Sequence, residues 1–277
     1  MLHIANSIAE VLLPIAYVLL AYMYGVSFFS TDAVSSRLKS PLLLLTSVLH
    51  FLYVGLHTAE YNRCMVTTPF EIMSLIAFTI TLTYLIIERR TGESGTGFFL
   101  LSLAAVFELT SSVVMKLSSG SDVNPVLSNM AIGTHVTLAV FGYAGFALSA
   151  MHAVMFLLMY RELKRGSFGS AYRNLPSLEG LEHMTVLSSL VGFVFLSASV
   201  VVGAIWLPRL FTDFSWTDPK LLSTGIVWVL YAALLLAHYA VRIDGHRIVK
   251  LSLWGFGAIV LSLTVVNVFL SDFHRFL

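Results

Sequence analysis

The sequence has few charged residues, a single cysteine and no marked excess of either charge. Charged residues make up 11% of the 277 positions and hydrophobic residues 57%, whereas soluble domains carry about 25% charged residues. This composition excludes an ordinary soluble domain and predicts an integral membrane protein. A net charge of +1 offers no basic surface that could follow phosphates, so we expect no nucleic-acid partner. The lone Cys64 excludes an intrachain disulfide, a Cys-x-x-Cys redox pair and a Cys-x-x-Cys-His haem attachment site.

Eight apolar runs are long enough to cross a bilayer, which requires about 20 residues per helix. They cover residues 5–28, 41–60, 69–88, 96–117, 132–160, 183–208, 220–241 and 248–271. The first run lacks a basic segment before it and is too long for a cleaved signal peptide, so we count it as a span. The sequence therefore predicts an all-α, polytopic membrane protein in which residues 1–277 form one transmembrane domain. The third run opens with Thr68-Pro69-Phe70-Glu71, which predicts a capping box with proline at the first helical position.

Lysine and arginine are distributed unequally between the two sides of these spans. The loops after spans one, three, five and seven carry Arg37, Lys39, Arg89, Arg90, Arg161, Lys164, Arg165, Arg173, Arg242, Arg247 and Lys250. The opposite side carries Arg63, Lys116, Arg209, Lys220 and Arg275. Because cytoplasmic loops hold the excess of these residues, both termini and the segment 203–220 are predicted on the outer side of a bacterial inner membrane.

The segment 203–220 is a polar break between the sixth and seventh runs. Its polar and aromatic residues are Trp206, Arg209, Asp213, Trp216, Asp218 and Lys220. Tryptophan at a membrane boundary is typical of interfacial anchors, which is one interpretation of this composition. The other is a haem site, because His135 and His274 are predicted on the same side and two imidazoles can ligate haem iron. Aromatic rings would then pack on the macrocycle, Arg209 or Lys220 would pair with propionates, and Asp213 or Asp218 would orient an imidazole.

Ionisable side chains are also predicted inside the membrane. His50, His152 and His238 lie within spans two, five and seven, His57 lies near the outer end of span two, and Glu108 lies in span four. Such groups are costly at this depth and often mark ligands or transport pathways. A hydrogen bond between two helices is the structural alternative for each of them.

Several segments together resemble a known family. Trp206, Trp216-Thr-Asp218-Pro219-Lys220, Trp228 and Tyr231 are similar to the tryptophan-rich "WWD" signature of the cytochrome c assembly family. That family includes the CcsA/ResC and CcmC/CcmF haem-handling proteins and a small HemX-like branch, which this chain resembles most in length. Residues 135–147, 175–182, 192–193, 245–247, 255–256 and 267–274 resemble the segments flanking the signature, and 69–71 an earlier feature. The likeness covers about 41–277 and is best over 132–277.

The resemblance implies a haem b site on the outer side, with His135 and His274 as axial ligands. It also implies a second, inner pair of histidines, which we assign to His238 with His50, and with His57 as the alternative to His50. Two departures weaken the match: Leu236 stands where the inner histidine is expected, and Leu221-Leu222 replace a glutamate and a tryptophan after Lys220.

The function that the resemblance implies is the presentation or export of haem for cytochrome c biogenesis. A ResB-like membrane partner or apocytochrome c would supply the attachment chemistry, so we expect no enzymatic activity from the chain alone and assign no catalytic residue. The alternative is a HemX-like regulator or scaffold that affects haem biosynthesis without stable haem transfer. A transporter using Glu108 is a weaker third hypothesis, because no internal repeat is found.

Overall fold

A computed structural model describes residues 2–30, 32–117, 123–166, 175–211, 215–243, 245–262 and 264. These residues form eight helices: α1 Leu2–Phe29, α2 Ala33–Tyr61, α3 Pro69–Thr91, α4 Gly97–Leu117, α5 Met130–Arg165, α6 Leu178–Leu210, α7 Pro219–Tyr239 and α8 His246–Leu261. Each apolar run of the sequence overlaps one of them. The prediction of an all-helical protein is confirmed.

Six of the helices are long and apolar enough to cross a membrane: α1, α2, α3, α5, α6 and α7. Within α4, residues Gly97–Val113 form a shorter apolar helix. Large apolar side chains such as Ile4, Leu45 and Trp254 are well exposed on the helix surfaces, as expected for residues that face lipid. The chain is thus a multi-pass membrane protein, while the count of eight spans and the sides of the termini stay predictions.

The helix ends follow the local sequence. Thr68 accepts a hydrogen bond from the Glu71 N–H, and the Glu71 carboxylate accepts one from the Thr68 N–H, so the predicted capping box is confirmed, with Pro69 in the first turn of α3. Asp32 caps α2 by accepting from the N–H of Ser35. Hydrogen bonds from Ser35 hold the pKa of this exposed carboxyl below its usual value.

The chain divides into two compact units, unit 1 (1–140) and unit 2 (141–277). In unit 1, α1 packs against α2 and α4, and α3 packs against α2 and α4. In unit 2, α6, α7 and α8 pack against one another. The α5 helix contributes its first turns to unit 1 and its remainder to unit 2.

Glycine allows α5 and α6 to approach closely within unit 2. A Cβ atom on Gly145 would lie 2.8 Å from the backbone of Gly192, and one on Gly142 would lie 2.9 Å from the backbone of Leu196. Small residues at such crossings are characteristic of membrane helices, whose association depends on close packing rather than on the hydrophobic effect. The glycines at 142 and 192 lie in the segments that resemble the family, so packing accounts for part of that pattern.

Candidate functional site

The segment 203–220 is less of a loop than its composition predicts. The α6 helix continues to Leu210, so Trp206, Pro208 and Arg209 belong to its last turns, and α7 begins at Pro219. The guanidinium carbon of Arg209 lies 5.7 Å from the centre of the Trp206 ring, a cation–π contact. A cation in the last turn also interacts favourably with the helix dipole, which helps to keep this polar stretch helical. Asp213 lies outside the described residues.

The second half of this segment forms the start of α7. Asp218 caps the helix by accepting from the N–H of Lys220 at 2.8 Å, with Pro219 at the first helical position. Trp216 just before the cap is 62% exposed, and Trp206 is 44% exposed. Two tryptophans are therefore accessible on this segment of unit 2, a property that suits both the interfacial and the haem interpretation.

Lys220 is held in a polar cluster. Its ammonium donates to the Ser262 hydroxyl at 3.2 Å and lies 5.8 Å from the centre of the Tyr143 ring. The Ser223 and Ser262 hydroxyl oxygens are 2.8 Å apart, and the Tyr143 hydroxyl lies 3.4 Å from that of Thr224. The lysine is thus fixed over an aromatic ring, where it could pair with an anionic group.

Of the signature residues in α7, Tyr231 is buried inside unit 2, whereas Trp228 lies at its surface. The Tyr231 ring stacks on Phe146 with centroids 3.6 Å apart, and its hydroxyl donates to the backbone oxygen of Ser252. Gly255 lies directly against the same ring, since a Cβ atom there would be 2.8 Å from it. Trp228 donates from Nε1 to the Ser197 hydroxyl at 2.9 Å. These residues join α5, α6, α7 and α8 and therefore have a structural role.

His135, the predicted outer ligand, lies near the start of α5 in unit 1 and is half-buried. The preceding residues pack on the loop between α2 and α3: the Cys64 sulfur lies 3.5 Å from the Met130 sulfur and 3.8 Å from the Thr134 hydroxyl. A Cβ atom on Gly133 would lie 2.8 Å from the Cβ of Cys64. His135 is therefore anchored on a fixed helix end. Its predicted partner His274 lies outside the described residues.

The two histidines of α2 differ in their hydrogen bonds. His50 is fully buried, and both of its ring nitrogens have partners: Nδ1 lies 2.8 Å from the Tyr17 hydroxyl, and Nε2 lies 3.3 Å from that of Ser74. His57 is 2% exposed, and its Nδ1 has no hydrogen-bond partner. Only His57 therefore has a ring nitrogen available without breaking a contact.

Glu71 holds the other side of His57. Its Oε1 lies 3.5 Å from His57 Nε2 and accepts from Arg63 at 2.8 Å, while its Oε2 accepts from the N–H groups of Thr67 and Thr68. The sequence predicted only a helix-capping role for Glu71, and the structure adds this ion pair with Arg63. An imidazole with a carboxylate at one nitrogen and no hydrogen-bond partner at the other has the hydrogen-bonding pattern of a metal-ligating histidine, although this nitrogen of His57 is buried.

His238 and His152 lie in unit 2. His238 Nδ1 is 3.9 Å from Glu182 Oε1, and its ring lies against Tyr239. His152 is fully buried, with Nδ1 3.3 Å from the Ser188 hydroxyl and Nε2 without a hydrogen-bond partner. Within the described residues, no three histidine, cysteine, aspartate or glutamate side chains come together as a metal site.

Sequence comparison identifies the family. The family described as cytochrome c assembly protein matches residues 35–274, which is most of the chain. The chain belongs to the cytochrome c assembly family. The resemblance drawn from the WWD-like residues is thereby confirmed.

The relatives carry two names. Protein HemX of Brevibacillus brevis is 31% identical over 144 residues, which cover 52% of this chain and 53% of that protein, about half of each. Protein HemX of Bacillus subtilis (strain 168) is 22% identical over 268 residues, 95% of both chains. Cytochrome c biogenesis protein CcsA of Synechococcus sp. (strain CC9605) is 23% identical over 290 residues, 94% of this chain and 93% of that protein.

Proposed function

We propose that this protein binds haem b and presents or exports it on the outer side of the bacterial inner membrane for cytochrome c biogenesis. The observation that carries the proposal is the family match over residues 35–274, together with the full-length similarity to a cytochrome c biogenesis protein. Haem is then the transported molecule, and the chain supplies its axial ligands and the surface on which it is presented. A ResB-like membrane partner or apocytochrome c would receive it, and eight spans would place both termini outside.

His135 and His274 are the proposed axial ligands, on the strength of the family resemblance. For His135, support comes from the packing of the first turn of α5 on Cys64, which fixes the helix that carries the imidazole. A fixed backbone is what a ligand must have if its nitrogen is to reach iron without a large loss of conformational entropy.

The segment 203–220 of unit 2 supplies the other groups of the proposal. Trp206 and Trp216 offer exposed aromatic surface, and Arg209 and Lys220 offer cations for propionates. Lys220 is the better supported of the two cations, because Ser262 and Tyr143 already hold its ammonium. Asp218 is occupied as the cap of α7, so its role toward haem would be to position Lys220 through the helix start.

A second haem is proposed with His238 as one ligand and a histidine of α2 as another. We favour His57 for the α2 position, because its buried Nδ1 has no hydrogen-bond partner and Glu71 holds its Nε2 side. His50 would first have to give up Tyr17 or Ser74. Replacing Glu71 by glutamine should then lower haem content less than replacing His57 by alanine, since glutamine still accepts a hydrogen bond.

The decisive experiment is an absorption spectrum of the protein purified from haem-replete cells. We expect a Soret band in the wild type and its loss or a several-fold reduction in His135→Ala and His274→Ala. His183→Ala is the matched control, since this histidine is exposed and belongs to neither proposed haem site. Wild-type protein without a Soret band, or variants with unchanged haem content, would contradict the proposal.

A second candidate function is a HemX-like membrane regulator that affects haem biosynthesis without stable haem binding. The observation that favours it is the similarity to protein HemX of Bacillus subtilis over 95% of both chains. The connector 161–183 would be the contact with a cytoplasmic enzyme. Replacing this connector by a neutral linker of equal length should then abolish the effect on haem synthesis, while His135→Ala would leave it intact.

A further inference from the structure

A chain of hydrogen bonds crosses all four helices α1 to α4 of unit 1 and ends on Glu108. The Tyr17 hydroxyl lies 2.8 Å from His50 Nδ1, and His50 Nε2 lies 3.3 Å from the Ser74 hydroxyl. Ser74 donates to Glu108 Oε2 at 2.8 Å. These four side chains are at most 2% exposed, so the chain lies in the interior of the unit.

The single hydrogen of the Ser74 hydroxyl fixes the direction of the chain. Since Ser74 donates to Glu108, it must accept from His50, and Nε2 then carries the imidazole hydrogen. His50 Nδ1 is left as an acceptor for the Tyr17 hydroxyl. With Glu108 ionised, every hydrogen of the chain therefore points toward its carboxylate.

Among the described residues, Glu108 has polar neighbours but no cation beside it. Within the described residues, no lysine, arginine or histidine forms an ion pair with it. Ser112, one turn further along α4, donates to its Oε1 at 3.3 Å. The titratable groups facing it from the other helices are Tyr17 on α1, Tyr53 and His50 on α2.

Glu71 provides a contrast within the same unit. It is buried to the same degree, but Arg63 neutralises its charge directly. A carboxylate at membrane depth without such a partner is costly, and binding a proton is the simplest way to remove the cost. The environment of Glu71 thus favours a carboxylate that stays ionised, whereas that of Glu108 favours a carboxylate that can bind and release a proton.

We propose that Glu108 is a proton-binding site of unit 1, loaded through Tyr17, His50 and Ser74. A proton that reaches the Tyr17 oxygen displaces that hydroxyl's hydrogen onto His50 Nδ1. The Nε2 hydrogen passes to Ser74, and the Ser74 hydrogen passes to Glu108. One proton has entered, Glu108 is neutral, and each hydrogen bond of the chain has reversed its direction.

Infrared spectroscopy of the full-length protein in detergent tests the site directly, without using any haem signal. A protonated carboxyl group has a C=O stretching band that disappears on ionisation. The band is followed over a pH titration from about 5 to 8, the range in which proteins tend to be most stable. We expect a titrating band in the wild type that is lost in Glu108→Gln. Glu88→Gln, which removes another buried acid of unit 1, should leave the band in place.

Two serine variants then test the route while keeping the carboxyl group. Ser74→Ala removes the donor to ionised Glu108, so the midpoint should move to higher pH by about one unit, the shift expected for one hydrogen bond to a charged group. Ser111→Ala is the matched control, because this buried serine of α4 donates to the backbone oxygen of Phe70 instead. An equal shift in both variants would contradict the route.

The reversal of the chain has its own signature in the histidine. In protein labelled with ¹⁵N-histidine, His50 should carry its hydrogen on Nε2 at high pH and on Nδ1 at low pH, and Glu108→Gln should abolish this change. The proposal is overturned if no carboxyl band depends on Glu108, or if the His50 tautomer is the same across the titration. Loss of haem binding in other variants would leave both readouts unchanged, so this inference and the proposed function fail separately.

Discussion

Unit 1 buries ionisable side chains between its helices, whereas most of the buried polar groups described in unit 2 are hydroxyls of serine. In unit 1 the buried residues include His50, His57, Glu71, Glu88 and Glu108. In unit 2 the Ser149 hydroxyl lies at the centre of a neutral cluster, 2.7 Å from the hydroxyls of both Ser189 and Ser252.

The difference shows how each unit gains its specificity in a membrane. Helices cannot rely on the hydrophobic effect there, so they associate through polar contacts or through close packing. Unit 1 uses charged and titratable side chains, and removing one member of a pair leaves the other buried and destabilises the fold. Unit 2 uses small residues, so a substitution there alters stability by changing the distance between helices rather than by leaving a charge unpaired. Four substitutions separate these modes, in order of expected effect.

The largest loss is expected from Arg63→Ala in unit 1. It leaves the 2%-exposed Glu71 without its cation, and breaking a buried ion pair costs about 3 to 5 kcal/mol. Detergent-induced unfolding followed by circular dichroism measures the change in the free energy of unfolding. Arg89→Ala, at an exposed position of α3, should cost far less. Adding Glu71→Gln to Arg63→Ala should recover part of the loss; a double variant less stable than Arg63→Ala would show that charge is not the cause.

An intermediate loss is expected from Gly145→Ala in unit 2. The new Cβ would lie 2.8 Å from the backbone of Gly192, and overpacking of this kind costs about 1 to 3 kcal/mol. The control is Gly225→Ala in α7, where nothing lies within 4 Å. Because alanine is the better helix former, the control should gain about 0.5 to 1 kcal/mol in the same unfolding assay. If Gly145→Ala and Gly225→Ala were equally stable, close helix packing would not be what stabilises unit 2.

A smaller loss is expected from Ser149→Ala. Its hydroxyl donates to the backbone oxygen of Thr185 at 2.9 Å and contacts two other serines. Hydrogen bonds between membrane helices contribute about 0.6 kcal/mol on average, and up to about 1.7. Thr110→Ala, whose hydroxyl bonds only its own helix at Val106, should be nearly neutral. A loss as large as that of Arg63→Ala would mean that unit 2 depends on polar contacts as much as unit 1 does.

The smallest effect on stability is expected from Arg209→Ala. Its contact with Trp206 is exposed, and a cation–π pair at such a site is worth about 0.5 to 1 kcal/mol. If Arg209 pairs with a haem propionate, haem content should fall by much more than stability does. Arg209→Lys keeps the charge and should restore the haem content in part. Equal haem content in all three proteins would leave Arg209 with the role of an interfacial anchor alone.

The sequence predicted the helices better than their ends. Apolar runs report the thickness of the bilayer, so they miss polar residues that extend a helix beyond it. The run that starts at Pro41 belongs to a helix that begins at Ala33, because Asp32 caps it. Likewise α6 continues through the polar residues after Gly203, where Arg209 stabilises the last turn.

The candidate site was predictable only in part for a similar reason. Depth placed His50 inside the membrane, but its partners Tyr17 and Ser74 come from two other helices, and no sequence pattern specifies that register. Glu71 was recognisable as a cap because capping is local, whereas its ion pair depends on how the loop carrying Arg63 folds back. Interactions between neighbouring residues, such as helix caps, could be predicted from the sequence, whereas contacts between different helices and loops could not.

The lone thiol of Cys64 gives the protein a built-in chemical label. Since the chain contains one cysteine, a maleimide reagent can react at one place only, beside the first turn of α5. A reagent that cannot cross membranes should therefore modify intact spheroplasts and spare inverted vesicles if this end of unit 1 faces outward. Attached there, a fluorophore would also report any movement of the helix that carries His135, with no engineered residue in the chain.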